Sequence, residues 1–398
     1  MTCEALISNE TAAMAASRFG RSLRALILTG SLARGEATFS GGPHSWRVLG
    51  DAEFLLVFHE AFRLPSEQSI SEFKAAIENA LRDRGISIRV GASAVRAAYF
   101  RALPPEIFTF ELGAFAKVIW GDERVLDLIP RFTRDQLSKQ DAWHLLCNRI
   151  VEVLEVSSEI DGAISGRTDV LNYRLCKLYL DMATSFLVFC GAYDSTYRER
   201  REALEKVART LTRHPAFSDL HEFTHVVSRC TDYKLRSQIL DEWYGFGCEV
   251  SCLQQAIDTA RGLWRWELKQ LAKCGDIADG ELVRVWTDLQ PLRRRARGWL
   301  SAARRCGIGG CRYWPHWARL AVDGSPRYLI YAAASDLFFR LTWLRSAQSD
   351  AGRLDLKGVS SLLPLPPRAT HERYDAAWRG LAGSIAQNYH RLLETTRA

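Results

Sequence analysis

The chain offers little that would anchor it in a membrane or staple it with disulfides. Its best apolar run, LYLDMATSFLVFC at 178–190, is too short to span a bilayer and carries Asp181. The first twenty residues, MTCEALISNETAAMAASRFG, lack the basic, apolar and small-residue succession of a secretory leader. These two absences predict a soluble, cytoplasmic protein with no membrane partner. Ten cysteines in 398 residues, with no leader ahead of them, read as buried thiols rather than a disulfide framework. Neither of the closer pairs, Cys248/Cys252 and Cys306/Cys311, has the C-x-x-C spacing of a zinc ribbon. G-x-S-x-G, Walker A and G-x-G-x-x-G are all missing, which removes the common serine-hydrolase, P-loop and dinucleotide sites. Internal repeats and low-complexity tracts are missing as well.

What is present describes an ordinary globular chain, with 47% hydrophobic and 25% charged residues. The length exceeds one average core, so two domains are expected. The net charge of +7 suits a protein that handles phosphates without requiring one.

The chain changes character near Pro130. Before it, LRALILTG, WRVLGDAEFLLVF and ISIRVGASAV read as strands, and SEQSISEFKAAIENALRDRG as a helix. FTFELGAFAKVIWGD reads as a further apolar strand that closes at a Gly-Asp turn. After it, helical periodicity dominates. VLNYRLCKLYLDMATSFLVFC is a long apolar helix, and Thr196 with Glu199 forms a capping box for the next. Further helices are expected over 217–229, 235–273 (interrupted near Gly245 and Gly247), 280–305, 327–347 and 371–397. The fold class is therefore α+β, a small mixed-sheet domain over 1–130 followed by a large all-α domain over 131–398.

Chemistry concentrates in LILTGSLARGEATFSGGPHSWRVLGDAEFLLVF. On a strand, residues i and i+2 share a face, so Asp51 and Glu53 project together while Ala52 turns to the core. Two carboxylates this close repel each other and call for a cation. Mg²⁺ fits, because it takes one or two protein carboxylates and completes its shell with water and phosphate oxygens. Gly30 and Ser31 end the preceding strand, where a glycine allows close approach to a ligand and free N–H groups at a helix start favour an anion. A phosphate cradle beside an acid pair describes phosphoryl or nucleotidyl transfer. The plainer alternatives are a simple turn at Gly30–Ser31 and a solvated acid pair matched by lysine or arginine.

TGSLARGE followed by GDAEFLLVF resembles the Gly-Ser and Asp-x-Asp/Glu signature of the DNA polymerase β-like nucleotidyltransferase superfamily, which includes the aminoglycoside and minimal nucleotidyltransferases. The resemblance covers about the first 130 residues. It implies that Gly30 and Ser31 hold nucleotide phosphates, that Asp51 and Glu53 bind Mg²⁺, and that Arg34 stands near the phosphates. Two departures accompany it. ATFSGGPHSWRVLG lengthens the gap between the two motifs and is expected to be a loop insertion. The usual third carboxylate is missing from ISIRVGASAV, whose polar face carries Ser87, Arg89 and Ser93.

Glu111, among aromatics on the FTFELGAFAKVIWGD strand, is the candidate replacement, as the base that deprotonates the acceptor. Its alternatives are a partly exposed glutamate or one bonded to arginine, with Glu152 or Glu155 then supplying the base. In the helical half, Arg174, Lys177 and Asp181 form a polar stripe. Lys177 could neutralise triphosphate charge across a cleft, in the way the resemblance implies, or sit beside an Arg174–Asp181 ion pair. Six arginines between 293 and 305 interleave with Trp299, Tyr313, Trp314 and Trp317. A solvated surface over packed aromatics is favoured there over a nucleic-acid groove, and an acceptor-binding wall is a third option.

The expected function is a Mg²⁺-dependent nucleotidyltransferase moving NMP from an NTP to a hydroxyl of a small-molecule or protein acceptor. A catalytically silent nucleotide sensor is the alternative, with transfer to RNA a third.

Overall fold

The N-terminal half is organised by one long strand, and this decides where the acid pair points. The structure, a computed structural model, describes residues 2–42, 45–159, 168–211, 213–235, 250–275, 277–340, 356–367 and 374–393. After helix α1 (Cys3–Phe19), strand β1 (Leu23–Thr29) runs almost wholly buried into a single helical turn, α2 (Gly30–Ala33). Strand β2 (Phe39–Gly42) then folds back onto β3 (Ser45–Phe58) as an antiparallel pair. The expected loop insertion is thus a hairpin, and β3 begins well before the acids. One edge of β3 is shared end to end by β2 and the antiparallel β1, while β4 (Ile86–Arg96) runs parallel along the other. Helix α3 (Glu67–Asp83) makes the β3–β4 crossover, burying Ile70, Phe73, Ile77 and Leu81 at helical spacing. The sheet is therefore mixed, as expected.

The segment 107–121 differs from its expected form. It splits into a short helix, α4 (Ala97–Arg101) having intervened, called α5 (Ile107–Phe115), and a short strand β5 (Lys117–Gly121) that pairs with β1. A short apolar run has no decisive period, and its aromatics mimic a strand signal. Glu111 accordingly sits on a helix.

The remaining helices are α6 (Lys139–Glu159), α7 (Thr168–Phe189), α8 (Tyr197–Thr210), α9 (Leu220–Leu235), α10 (Val250–Ala272), α11 (Asp279–Asp288), α12 (Leu292–Cys306), α13 (Trp314–Asp323) and α14 (Pro326–Phe339), with two more at Leu356–Ser361 and Tyr374–Leu392. The capping box of Thr196 and Glu199 opens α8 as expected. The expected helix over 280–305 breaks into α11 and α12 at Pro291, which supplies no N–H to continue the ladder. Gly245, Gly247, Cys248 and 341–347 lie outside the described residues. One apolar core joins the helices around Trp143, Tyr179, Phe186 and Trp264, and two smaller cores cover the faces of the sheet. The architecture is α+β with a large helical part.

The helical core holds one costly feature. Glu267 on α10 is fully buried, and neither carboxyl oxygen has a hydrogen-bond partner among the described residues. Burial raises its pKa well above the ordinary value near 4.5; the neighbouring Ser185 hydroxyl, short of a full hydrogen bond, opposes only part of this. The group is therefore held protonated. Its contribution to stability is fully present below about pH 4.5 and is lost as pH rises towards the folded-state value, at about 1 kcal/mol per pH unit. Glu267→Gln is expected to flatten that slope and to be the more stable form at neutral pH, as measured by urea denaturation across pH.

Candidate active site

Thr29 is registered opposite Glu53, so the chain leaves β1 directly beside the acid pair. Asp51 and Glu53 are exposed on one face of β3 while Ala52 between them is fully buried. Gly30 follows with φ +71°, and a Cβ placed there would press on the Glu53 carboxylate. The left-handed backbone favours glycine, and the exposed Glu53 side chain would have to move aside for anything larger. Gly30→Ala is expected to cost about 1–2 kcal/mol from the backbone conformation alone. It would also push the Glu53 carboxylate aside, so denaturation and ligand binding should both register it.

Ser31 lies next, its hydroxyl 3.6 Å from the Cβ position of Gly50, which in turn is 3.9 Å from the Tyr173 hydroxyl on α7. The helical half thus comes close to the strand just ahead of Asp51, at ordinary contact distance. On the β4 side, Arg89 stands level with Asp51 and Gly91 with Glu53. No third carboxylate occupies that strand, as its sequence indicates. Among the described residues no cluster of three or more His, Cys, Asp or Glu side chains forms.

All seven residues singled out in the sequence, Gly30, Ser31, Arg34, Asp51, Glu53, Glu111 and Lys177, line one cleft between the sheet and the helices. Its volume of ≈ 1740 Å³ exceeds the about 300–1,000 Å³ of a single small-molecule site.

The structure gives these residues different tasks. Glu111 accepts hydrogen bonds from Arg34, Arg200 and the Tyr193 hydroxyl (2.8 Å). Arg34 also reaches Glu36 at 3.1 Å, and Glu36 accepts from the Tyr197 backbone N–H at 2.8 Å, at the first turn of α8. Arg34 and Arg200 each lie over the Tyr197 ring. Glu111 and Arg34 thus belong to a buried ion network that ties the turn after β1 to the helical half. The arginine-bonded alternative for Glu111 is the one realised, and Arg34 lines the cleft with its guanidinium committed to two carboxylates.

The polar stripe on α7 is likewise re-paired. Arg149 bonds Asp181 at 2.6 Å and also Glu152, while Arg174 bonds Glu152. Glu155 meets His390 at 2.8 Å. Glu152 and Glu155 are therefore engaged, and the Arg174–Asp181 pair gives way to a crossed set. Lys177 remains over the Tyr173 ring, 5.7 Å from its centroid. Burial, and then Arg149, lower its pKa.

Sequence reading missed Lys234 on α9, which is 2% exposed and still lines the cleft. Its ammonium lies 5.5 Å from the same Tyr173 ring and donates to the Tyr173 hydroxyl at 3.2 Å. Its carbonyl accepts from Thr38 on the turn before β2. Burial pushes its pKa down to about 8. Neither lysine forms an ion pair among the described residues; Glu152 near the half-buried Lys177 and Glu36 near the buried Lys234 offset part of the lowering, and both lysines line the same cleft as the acid pair. Only tertiary folding brings residues 173, 177 and 234 together. Glu106, at the start of α5, is a further cleft-lining acid. Burial, and then the nearby Asp141 charge, push it up to about 7.

The sequence also holds H-E-x-x-H at His221–His225, the spacing of zinc-dependent hydrolases. Both histidines are exposed on α9, away from the cleft lining, and no third ligand joins them among the described residues.

Comparison with family models, with curated proteins and with solved structures gives no match to this chain.

Proposed function

We propose that the cleft is the site of a Mg²⁺-dependent nucleotidyltransferase. The observation that carries this reading is that Asp51 and Glu53, Gly30 and Ser31, the half-buried Lys177 and the buried Lys234 all line one cleft. An acid pair takes a divalent cation, and ammonium groups take the phosphates that the cation bridges. The residues fit Mg²⁺. Asp51 is exposed and makes no side-chain hydrogen bond or ion pair among the described residues, and the Glu53 carboxylate occupies the space that a side chain at 30 would fill. When bound, Mg²⁺ would neutralise phosphate oxygens and polarise the phosphoryl group.

Asp51 and Glu53 would hold the metal, and Ser31 with the Gly30 turn would contact the phosphate tail. Lys177 and Lys234 would anchor that tail from the helical side. The acceptor oxygen would attack the α-phosphorus and pyrophosphate would leave, with the acceptor in the remainder of the cleft. The acceptor's proton has a destination in Glu106, whose carboxyl titrates near neutrality. The sequence resemblance to polymerase β-like nucleotidyltransferases, carried by the Gly-Ser and Asp-x-Glu motifs, supports the same chemistry. A small-molecule hydroxyl is the acceptor favoured, or a protein side chain.

A second reading has its own observation. Glu111 is bound by two arginines and a tyrosine, and β4 supplies no acid, so the site has two carboxylates where such transferases use three. A nucleotide sensor that binds without transfer would have this composition. Pyrophosphate release with each of the four NTPs and mixed acceptors separates the two: release supports transfer, and nucleotide binding without release supports the sensor.

Lys234 makes both readings pH-sensitive in one direction. An anion prefers the charged lysine, so affinity should hold below pH about 8 and fall above it, towards tenfold per unit. Calorimetric titration with inorganic tripolyphosphate one unit either side of that value checks this, and Lys234→Met should abolish the dependence.

A further inference from the structure

The strongest feature outside the cleft is the surface formed by α12 and α13. Between residues 291 and 323 the chain carries eight arginines and one acid, Asp323. Leu292, Ala296 and Leu300 follow one another at four-residue spacing along the exposed strip of α12. Leu292 is 76% and Leu300 59% exposed. Arg293, Arg297 and Arg304 are exposed along the flank of that strip and make no ion pair among the described residues; Arg297 also reaches the rim of the cleft. The following turn and α13 repeat the arrangement. Ile308, Trp314 and Val322 are all more than half exposed, with Arg319 beside them. The opposite face of α12 is packed, through Ala302, Cys306 and the close approach of Gly298 to Ser325 and Pro326.

Isolated exposed leucines need no explanation, but a strip of large apolar side chains edged by unpaired arginines does. Its charge calls for an anionic partner. The position of the aromatics decides which kind. Base stacking would need them on the surface, yet only Trp314 of the four is exposed: Trp317 is buried, Trp299 and Tyr313 are half-buried, and the Tyr313 ring is already covered by Arg312. Trp299 donates its indole N–H to the Gly324 carbonyl, Trp317 donates to Pro364, and Tyr313 stacks on Trp317. What the surface shows instead is aliphatic, with Trp314 alone among them exposed. Aliphatic side chains gain nothing from a base but are buried at the headgroup–acyl boundary, where tryptophan is also favoured.

We propose that the α12–α13 surface docks this protein onto an anionic lipid surface. The arginines contact headgroup phosphates, and Leu292, Leu300, Ile308 and Trp314 enter the interfacial layer. No helix among the described residues is long and apolar enough to cross a membrane, so the association is peripheral. It goes beyond the expectation of no membrane partner, which rested on the absence of a spanning segment, and it does not rest on the chemistry proposed for the cleft.

Co-sedimentation of the full chain with vesicles of equimolar phosphatidylcholine and phosphatidylglycerol tests this, with pure phosphatidylcholine vesicles and a single-stranded oligonucleotide as parallel probes. Binding is expected to the anionic vesicles only and to weaken with salt. Combined Arg293→Ala, Arg297→Ala and Arg304→Ala should weaken it on the order of a hundredfold, at about fivefold per arginine. Combined Leu292→Ser, Leu300→Ser and Trp314→Ser should also lose it, with thermal denaturation unchanged because these side chains are exposed. Three results would overturn the proposal: no vesicle binding, oligonucleotide binding that survives the serine substitutions, or a concentration-dependent self-association that those substitutions abolish.

Discussion

Asp51→Asn and Glu53→Gln, each alone, are expected to lower turnover by about three orders of magnitude while leaving the protein folded. A bound divalent cation contributes several kcal/mol of charge stabilisation, and each 1.36 kcal/mol is a factor of ten in rate. Both substitutions keep the side-chain shape and remove the charge that would hold the cation. Both positions are exposed, so stability should move by no more than about 0.5 kcal/mol. Relief of the repulsion between the two acids acts in the stabilising direction. The pair of readouts matters: a pyrophosphate assay should collapse while the urea midpoint stays put. If the acid pair were only a solvated feature of β3, neither would change.

Glu111→Ala is expected to do the reverse. Arg34, Arg200 and Glu111 have side chains that are 6%, 6% and 17% exposed, and removing the carboxylate leaves buried Arg200 with neutral acceptors only and Arg34 with Glu36 alone. Breaking a buried ion pair from one side costs about 3 to 5 kcal/mol. The loss should appear as a large drop in denaturation midpoint. At a temperature where the variant is still folded, turnover should keep most of its value. A catalytic base at this position would give the opposite split, with near-normal stability and little turnover. Glu111→Gln should fall between, because the amide oxygen still accepts one hydrogen bond from the arginines but supplies no charge.

How far the sequence revealed this site depends on the range of the interactions involved. The acid pair was legible because strand alternation is local: Asp51 and Glu53 had to share a face once β3 was recognised. Gly30 was legible for the same reason, as the residue that ends an apolar strand. The crossover helix α3 and the capping box at Thr196 were equally local. What failed was non-local or ambiguous. The 107–115 segment is too short and too apolar to choose between helix and strand from its own pattern. The hairpin of β2 and β3 looked like a loop because β2 spans four residues, two of them glycine. The ion partners of Glu111, Asp181 and Arg174 come from helices far along the chain, and charge alone offers several equally good pairings. Lys234 is the clearest omission. It looks like any lysine near the end of an amphipathic helix, and only the packing of α7 against α9 under Tyr173 gives it a role.

The central claim is that residues 51 and 53 hold a divalent cation together with a nucleotide. Electron paramagnetic resonance of Mn²⁺, titrated into the protein with a non-hydrolysable NTP, reads that binding without requiring turnover or a known acceptor. A nucleotide-dependent bound Mn²⁺ signal is expected, disappearing in Asp51→Asn and weakening in Lys234→Met. A bound signal unaltered by Asp51→Asn, or no bound Mn²⁺ with any of the four nucleotides, would contradict it.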